Sequence, residues 1–547
     1  MMKPKRIQPK FRFNKFSEIG SPDAETDSLL GKAFIEKDAF NALIDMSNQR
    51  SILIGRTGSG KSAILKQIES TQDKVCRIEP EAMSLRFLSN STMLDYFQKI
   101  DVNLSFFYKI LWKHVFIIEL LRLHLSYDNQ KKNNWFIAIK EKLLQKKNNP
   151  KRLKALEYFD KWGKEFWLDT EKRVKEIENV VHKKFENEMG AQISVLNAKL
   201  MKGVDNTNTI KSEIKNKAEH VISETLANDI HEIVNILNEE IFIDDQQKHF
   251  IIIDDLDKEW IPSAMRYDLI GAMIEVIKEF QIFRGVKIII SLRDNLYQLV
   301  FAGAKHKGGQ REKFKPLYVD LEWTKLELQE LLNKRLYLIS DKNLDVKTVF
   351  EKKHRDKSGF DYMIERTFYR PRDVISYINH IIKVSANKSF FSHEILKKAE
   401  VPYSKDRLQA IEDEWGENYG DVKNLFRFLY GKYNGFNIRN IKEDDFVTIL
   451  LEEKPNQVYR GELAEIIIKW QKNLITFAAF VKEVIYLLYM FGIIGIKRSP
   501  TDPIQYFYDD HTSVTANDIT NDCKVYVHKA FNAALKINTK EMEINTF

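Results

Sequence analysis

The chain has 547 residues, 44% of them hydrophobic, which is enough for three or four domains with cores of their own. Its formal net charge is +8, and its two cysteines, Cys76 and Cys523, exclude a disulfide framework or a cysteine-based metal site. The sequence has no uncharged apolar run long enough to cross a bilayer and no signal peptide. We therefore expect a cytoplasmic protein with no membrane partner.

The first predicted element is a helix that begins at Ser21-Pro22 and runs to about Met46. Serine is a good N-cap, and proline is favoured at the first helical position. The segment Ala24–Asp27 lies at the start of this predicted helix. Its acidic residues either favour the helix N-terminus or carry a function, and the sequence leaves both open.

A phosphate-binding loop follows the short apolar strand predicted at Ser51–Ile54. The pattern Gly-x-x-x-x-Gly-Lys-Ser is complete, with a helix predicted after it. Its glycines let successive backbone N–H groups point at phosphate oxygens, and Lys61 would reach the β- and γ-phosphates. Ser62 would bind Mg²⁺, so ATP and Mg²⁺ are the predicted cofactors. The predicted nucleotide contacts are Gly55, Arg56, Thr57, Gly58, Ser59, Gly60, Lys61, Ser62 and Ala63.

A long, mostly helical insertion is predicted between this loop and the next nucleotide-binding strand. It follows a second strand at Val75–Ile78, and its segment Phe106–His124 is apolar nearly all round, which indicates a buried helix. Residues 129–202 contain 18 Lys and Arg against 10 Asp and Glu. This basic segment is either a solvated helix face or a groove for nucleic acid.

Paired aspartates end the apolar strand predicted at 249–253. Asp254 is the natural second ligand of the Mg²⁺ held by Ser62, and Asp255 could act as general base on the attacking water. Asp257 and Lys258 are expected to form an ion pair that stabilises the turn.

After a helix at about Ser263–Phe280, a further apolar strand begins at Val286 and ends in polar residues. If it lies between the two nucleotide-binding strands, Ser291 or Arg293 would lie near the γ-phosphate. A fifth strand is predicted at Leu317–Leu321. These elements predict an α/β fold with the parallel sheet of a P-loop NTPase.

Helices dominate the remainder of the chain. One is predicted at Thr324–Leu338 and another after Arg370-Pro-Arg-Asp373, where Arg372 would touch the γ-phosphate from a helical lid. The end of the chain reads as a winged helix: a helix at Leu474–Tyr489, then strands at Gly492–Lys497, Ile504–Tyr508 and Lys524–Val527. Residues 401–547 contain 18 basic and 21 acidic residues, which argues against DNA binding there.

The predicted domains combine these elements. Residues 1–99 are the N-terminal segment with the first part of the ATPase core, 100–245 the helical insertion and 246–322 the remainder of the core. Residues 323–400 are the helical lid, and 401–547 are the C-terminal winged-helix-like domain.

These motifs resemble the additional-strand P-loop ATPases, which include the KAP, STAND and AAA+ proteins, and a broad family of bacterial P-loop ATPases. The matching pieces span nearly the whole chain except residues 125–240; they are Ala24–Asp27, Gly55–Ala63, Asp254–Asp257, Ser291–Asp294, Leu321–Trp323, Arg370–Asp373 and Gly492–Gly495. The resemblance implies a nucleotide-dependent switch that forms homo-oligomers, acts in bacterial (antiphage) defence and works with a separate effector or sensor protein.

Two other functions stay open on the sequence. A DNA-loading or DNA-sensing ATPase, related to origin-recognition proteins, would bind nucleic acid through the basic insertion at 129–202. A scaffold that binds nucleotide without hydrolysing it is the third. Arg311 is one candidate for an arginine that acts on a neighbouring subunit.

Overall fold

The computed structural model describes most of the chain outside the insertion. The described residues are 11–81, 102–124, 230–242, 247–300 without 259, 295, 298 and 299, and 310–539 without 352–356, 421, 447–460 and 510–513, together with residue 94 and isolated residues between 154 and 220. The chain divides into two compact units. Residues 36–322 form one, called here the P-loop unit, and residues 1–35 with 323–547 form the other, called the helical unit.

The elements alternate between strand and helix in the P-loop unit and are mainly helical in the other. The strands are β1 Ile52–Ile54, β2 Val75–Ile78, β3 His249–Ile253, β4 Val286–Leu292, β5 Tyr318–Asp320, β6 Phe436–Asn437, β7 Ile494–Lys497, β8 Gln505–Tyr506 and β9 Lys524–Val527. The helices are α1 Leu30–Ala33, α2 Asp38–Ile44, α3 Lys61–Thr71, α4 Ser105–His124, α5 Ser263–Phe280, α6 Gln310–Phe314, α7 Lys325–Ile339, α8 Val346–Val349, α9 Gly359–Ile364, α10 Pro371–Val384, α11 His393–Tyr419, α12 Val422–Leu429, α13 Glu462–Gln471 and α14 Phe477–Met490.

The P-loop unit is built on a parallel five-stranded sheet. Its strand order is β2-β3-β4-β1-β5, and every neighbouring pair is parallel. Strands β3 and β4 are buried along their whole length, as expected where helices cover both faces. Because β4 lies between β1 and β3, the carboxyl ends that carry the P-loop and the paired aspartates meet at one edge of the sheet. The predicted fold class is confirmed, and β4 lies between the two nucleotide-binding strands, the arrangement considered for Ser291 and Arg293.

Helix α4 packs in the core of this unit. Its residues from Phe107 to Leu121 are mostly buried, and the Trp112 indole donates a hydrogen bond to the Leu269 carbonyl of α5 at 2.9 Å. The prediction of a buried helix is confirmed, and the first helix of the predicted insertion thus shares the core of the nucleotide-binding sheet. Nearly all of the basic segment at 129–202 lies outside the described residues.

The predicted helix from Ser21 is wrong. Residues 21–29 form turns, and only the short helices α1 and α2 follow before β1. In this segment the side chain of Ser21 forms hydrogen bonds with residues close to it in sequence. Its hydroxyl accepts a hydrogen bond from the Asp23 N–H at 3.1 Å and contacts the Thr26 hydroxyl at 2.8 Å. Such side-chain bonds compete with the backbone bonds of a helix. Asp27, in the same segment, forms a buried ion pair with Arg335 of α7 at 2.5 Å.

The helical unit combines the lid helices with a small antiparallel sheet. Helix α11 is continuous across the predicted domain boundary at residue 400, so the predicted lid and C-terminal domain share one helix. The sheet has the order β6-β9-β7-β8. Strands β7, β8 and β9 were predicted as the wing, whereas β6 was not. The five predicted domain ranges otherwise stay predictions. No helix in the described part of the chain is long and apolar enough to span a membrane.

Candidate nucleotide-binding site

The P-loop adopts a tight turn between β1 and α3 that depends on its glycines. Gly58 and Gly60 have φ angles of +78° and +97°, in the region that favours glycine. A Cβ atom on Gly55 would lie 2.7 Å from the Ser59 hydroxyl, which is too close for a side chain. The N-cap residue of α3 is Gly60, which has no side chain to cap the helix, so the first N–H groups of α3 can bind an anion.

Lys61 is held inside this turn. Its ammonium group donates hydrogen bonds to the carbonyl oxygens of Gly55 at 2.7 Å and Arg56 at 3.2 Å. Burial lowers the pKa of Lys61 to about 8, while the charges of Asp294 and Asp254 oppose that shift. The lysine thus lies at the P-loop with its charge close to carboxylates that follow β3 and β4.

Asp254, the first of the paired aspartates, is the buried residue of the second nucleotide-binding motif, which is β3 with the aspartates that follow it. It follows β3 directly, and its Oδ1 accepts a hydrogen bond from the Ser291 hydroxyl at the end of β4. Its Oδ2 lies 3.4 Å from a guanidinium nitrogen of Arg77 in β2. Sequence reasoning missed Arg77, because one charged residue in a short apolar strand carries no signal of what it contacts across the sheet.

Asp255 differs from Asp254 in backbone and exposure. Its φ angle is +58°, a left-handed conformation that is uncommon outside glycine, and its side chain is one-third exposed. It pairs with Lys258 at 3.0 Å. Asp257 instead pairs with Arg293 at 2.6 Å, which links the ends of β3 and β4. The predicted ion pair between Asp257 and Lys258 is therefore not the pairing that forms.

The donor set fits nucleotide and Mg²⁺. Ser62 lies in the first turn of α3, and Asp254 supplies a carboxylate from the neighbouring strand end, which are the oxygen ligands that Mg²⁺ takes beside phosphate. Ala63 follows Ser62 in the same turn, and Arg56 and Thr57 lie in the loop before it. These assignments stay predictions.

Arg372 lies outside the P-loop unit. It belongs to the first turn of α10 in the helical unit, and it makes no hydrogen bond or ion pair with the part of the chain that the structure describes. Burial and the neighbouring positive charge of Arg370 lower its pKa. Its predicted contact with the γ-phosphate stays a prediction. Arg311 lies in α6, but its side chain falls outside the described residues.

Comparison with known proteins gives distant similarities. Residues 326–412, which include nearly all of α7, all of α8–α10 and much of α11, match the family described as the FunZ-associated C-terminal helical domain. The chain is 21% identical over 544 residues to the putative transposon gamma-delta 80.3 kDa protein of Escherichia coli K12, covering 96% of this chain and 68% of that protein.

A solved Walker-type ATPase of Pyrococcus abyssi is similar to the chain with a TM-score of 0.37 at 10% identity, covering 96% of this chain and 100% of the other. A likeness this loose supports no conclusion. The Walker-type fold of the P-loop unit follows from its two motifs and its strand order.

Proposed function

We propose that this chain is an ATPase that binds Mg·ATP at the P-loop and couples the state of the nucleotide to assembly or to a partner protein. The observation that supports this most directly is the charged cluster at the carboxyl edge of the parallel sheet. There the buried Lys61 ammonium is bound to the P-loop carbonyls, and the carboxylate of Asp254 is bonded by Ser291.

The residues of the site have distinct tasks in this proposal. Lys61 exchanges its two carbonyl partners for β- and γ-phosphate oxygens, and the N–H groups of the loop and of α3 bind the same phosphates. Bound Mg²⁺ would neutralise charge on the transferred phosphoryl group. Asp255, exposed at the strand end, orients the attacking water and accepts its proton. Arg293 and Arg372 are the proposed contacts with the γ-phosphate.

Replacement of Lys61 tests the proposal. Lys61→Ala should weaken ATP binding and reduce phosphate release to background, because it removes the positive charge inside the loop. Lys66→Ala, in the same helix α3, is the matched control and should keep both. Binding of a fluorescent ATP analogue and release of inorganic phosphate are the two measurements. Hydrolysis by Lys61→Ala at the unmodified rate would refute the proposed site.

The resemblance to bacterial P-loop ATPases of defence supports the switch part of the proposal. In that role, a separate sensor or effector protein would read the state of the nucleotide. A pull-down with a hydrolysis-deficient variant would identify this partner.

A second candidate is a DNA-associated ATPase. Two observations favour it: the basic segment at 129–202, with 18 basic against 10 acidic residues, and the relative described as a transposon protein. Phosphate contacts release counterions, so DNA-stimulated hydrolysis that falls steeply with added salt would favour this candidate. Hydrolysis that is indifferent to DNA at low salt would favour the switch.

A further inference from the structure

Arg77 connects the aspartate of the second motif to the P-loop helix. It lies on β2 opposite Ile252 of β3, and Asp254 is two residues beyond Ile252, on the same face of the sheet. One guanidinium nitrogen lies 3.4 Å from Asp254 Oδ2, and the other lies 3.2 Å from Oε1 of Glu69 in α3. One cation thus bridges two carboxylates, one of them the predicted metal ligand.

Each oxygen of the Asp254 carboxylate has a partner in this arrangement. Its side chain is 6% exposed, with Oδ1 bonded by Ser291 and Oδ2 facing Arg77. A buried carboxylate needs a partner for its charge, and Arg77 is the cation that contacts it. Any second cation at Asp254 must therefore compete with Arg77.

Glu69 gives the arginine another place for its charge. Its side chain is 29% exposed, against 6% for Asp254, and it already contacts the other guanidinium nitrogen. Arg77 can therefore give up its longer contact of 3.4 Å and keep the one of 3.2 Å. The bridge can be broken on the Asp254 side without leaving the arginine unpaired.

We propose that Arg77 is a positioning residue that sets the Mg²⁺ requirement of nucleotide binding. It holds the Asp254 carboxylate in place before metal arrives, and it turns to Glu69 when Mg·ATP binds. This inference rests on the function proposed above, because it assumes that Asp254 receives Mg²⁺.

The test is the Mg²⁺ concentration that gives half-maximal binding of a fluorescent ATP analogue. Arg77→Met removes the competing cation while keeping most of the side-chain length, and should lower that concentration roughly tenfold, as expected for loss of one partly screened charge at the ligand. Glu69→Gln removes the alternative partner and should raise it. Arg77→Lys keeps the charge and should stay near the unmodified value.

Binding of the analogue without Mg²⁺, in excess chelator, separates this role from a structural one. All three variants should bind the metal-free analogue as the unmodified protein does. An Mg²⁺ requirement that is unchanged or raised in Arg77→Met would overturn the inference. So would Glu69→Gln with an unchanged requirement, a result that does not depend on whether Arg77→Met folds. If the unmodified protein binds no nucleotide at all, the proposed function itself fails.

Discussion

At the scale of single residues, the two consecutive aspartates have separate environments. Asp254 is buried and bonded by neighbouring strands, whereas Asp255 is one-third exposed, with a φ angle of +58° and Lys258 as its partner. A left-handed backbone at a non-glycine residue is characteristic of sites where a side chain must be aimed. The two carboxylates differ in burial and in their bonded partners, which agrees with separate roles.

We predict that Asp255→Asn keeps Mg·ATP bound but slows hydrolysis by roughly a hundredfold, the usual contribution of a general base. Asparagine has the same shape and tolerates the left-handed conformation well, so the fold should be kept. Single-turnover phosphate release and analogue binding measure the two properties separately. Asp73→Asn, at an exposed position after α3, is the control. If binding falls together with turnover, Asp255 is a metal ligand and the proposed division of roles is wrong.

At the scale of elements, a buried lysine fastens β4 to the end of α2. The Lys287 ammonium donates hydrogen bonds to the carbonyl oxygens of Ala42, Asp45 and Asn48 at 3.1, 2.6 and 2.6 Å. These carbonyls lie in the last turn of the helix and the loop after it, where backbone acceptors lack helical partners. Burial lowers the pKa of Lys287 from its ordinary value of 10.5 to about 8, although Asp45 opposes the shift.

This pKa predicts how the stability of the P-loop unit depends on pH. The unfolded chain keeps the Lys287 proton up to about pH 10.5 and the folded chain up to about pH 8, so the unfolded state binds more protons between these values. The contribution of Lys287 to stability is fully present above 10.5 and is lost as pH falls through 8, with an upper limit of about 3 kcal/mol.

The variant Lys287→Met should lack the increase in stability that deprotonation of Lys287 provides at high pH. The thermal unfolding midpoint of the unmodified protein should rise relative to that of the variant between pH 8 and pH 10, as measured by scanning fluorimetry in paired samples. Lys61 has a similarly lowered pKa, but it is common to both proteins and cancels in the comparison. The exposed Lys248→Met is the control and should follow the unmodified protein. A constant difference across this pH range would show that Lys287 stays charged on folding.

Elements whose causes are local were predictable from the sequence. Strands β2 and β3 and helix α5 begin and end at the predicted residues, because apolar runs bounded by charged or turn residues define them. The P-loop glycines are equally local in their cause. The position of β4 between β1 and β3 agrees with the resemblance to the additional-strand ATPases, although the residues alone left it as a condition.

Features that depend on distant partners were not predictable. Asp27 pairs with Arg335, 308 positions away, and it lies in the segment 21–29 that forms turns where a helix was expected. Arg77 reaches Asp254 across 177 positions. Strand β6 has two residues and is defined by its pairing with β9. In each case the sequence near the residue or strand is compatible with many distant partners, and the tertiary fold determines which of them it contacts.

At the scale of the whole molecule, the helical unit places Arg372 beside a buried cluster of charged residues. The carboxylate of Asp373 is completely buried and bonded by Arg370 at 2.8 Å and by Arg407 of α11 at 2.8 Å. Burial alone would raise its pKa, but the two guanidinium groups hold the pKa of Asp373 well below its usual range. Asp373 thus connects α10 to α11. The charges of this cluster also act on the neighbouring Arg372.

Self-association with ATP is the prediction at this scale. In the ATPases that the chain resembles, the γ-phosphate is commonly contacted at the interface between subunits. A head-to-tail interface that repeats from subunit to subunit gives rings or filaments. We therefore predict that Mg·ATP shifts the Asp255→Asn protein to a larger assembly, that ADP does so less, and that Arg372→Ala reduces the shift without unfolding the chain. Light scattering after size exclusion measures the mass. Lys383→Ala, exposed on the same helix α10, is the control. Nucleotide can shift the equilibrium between monomer and assembly only by its difference in affinity for these two states. If the protein stays a monomer with every nucleotide, self-association is wrong, and only a switch that depends on a partner protein remains of the proposal.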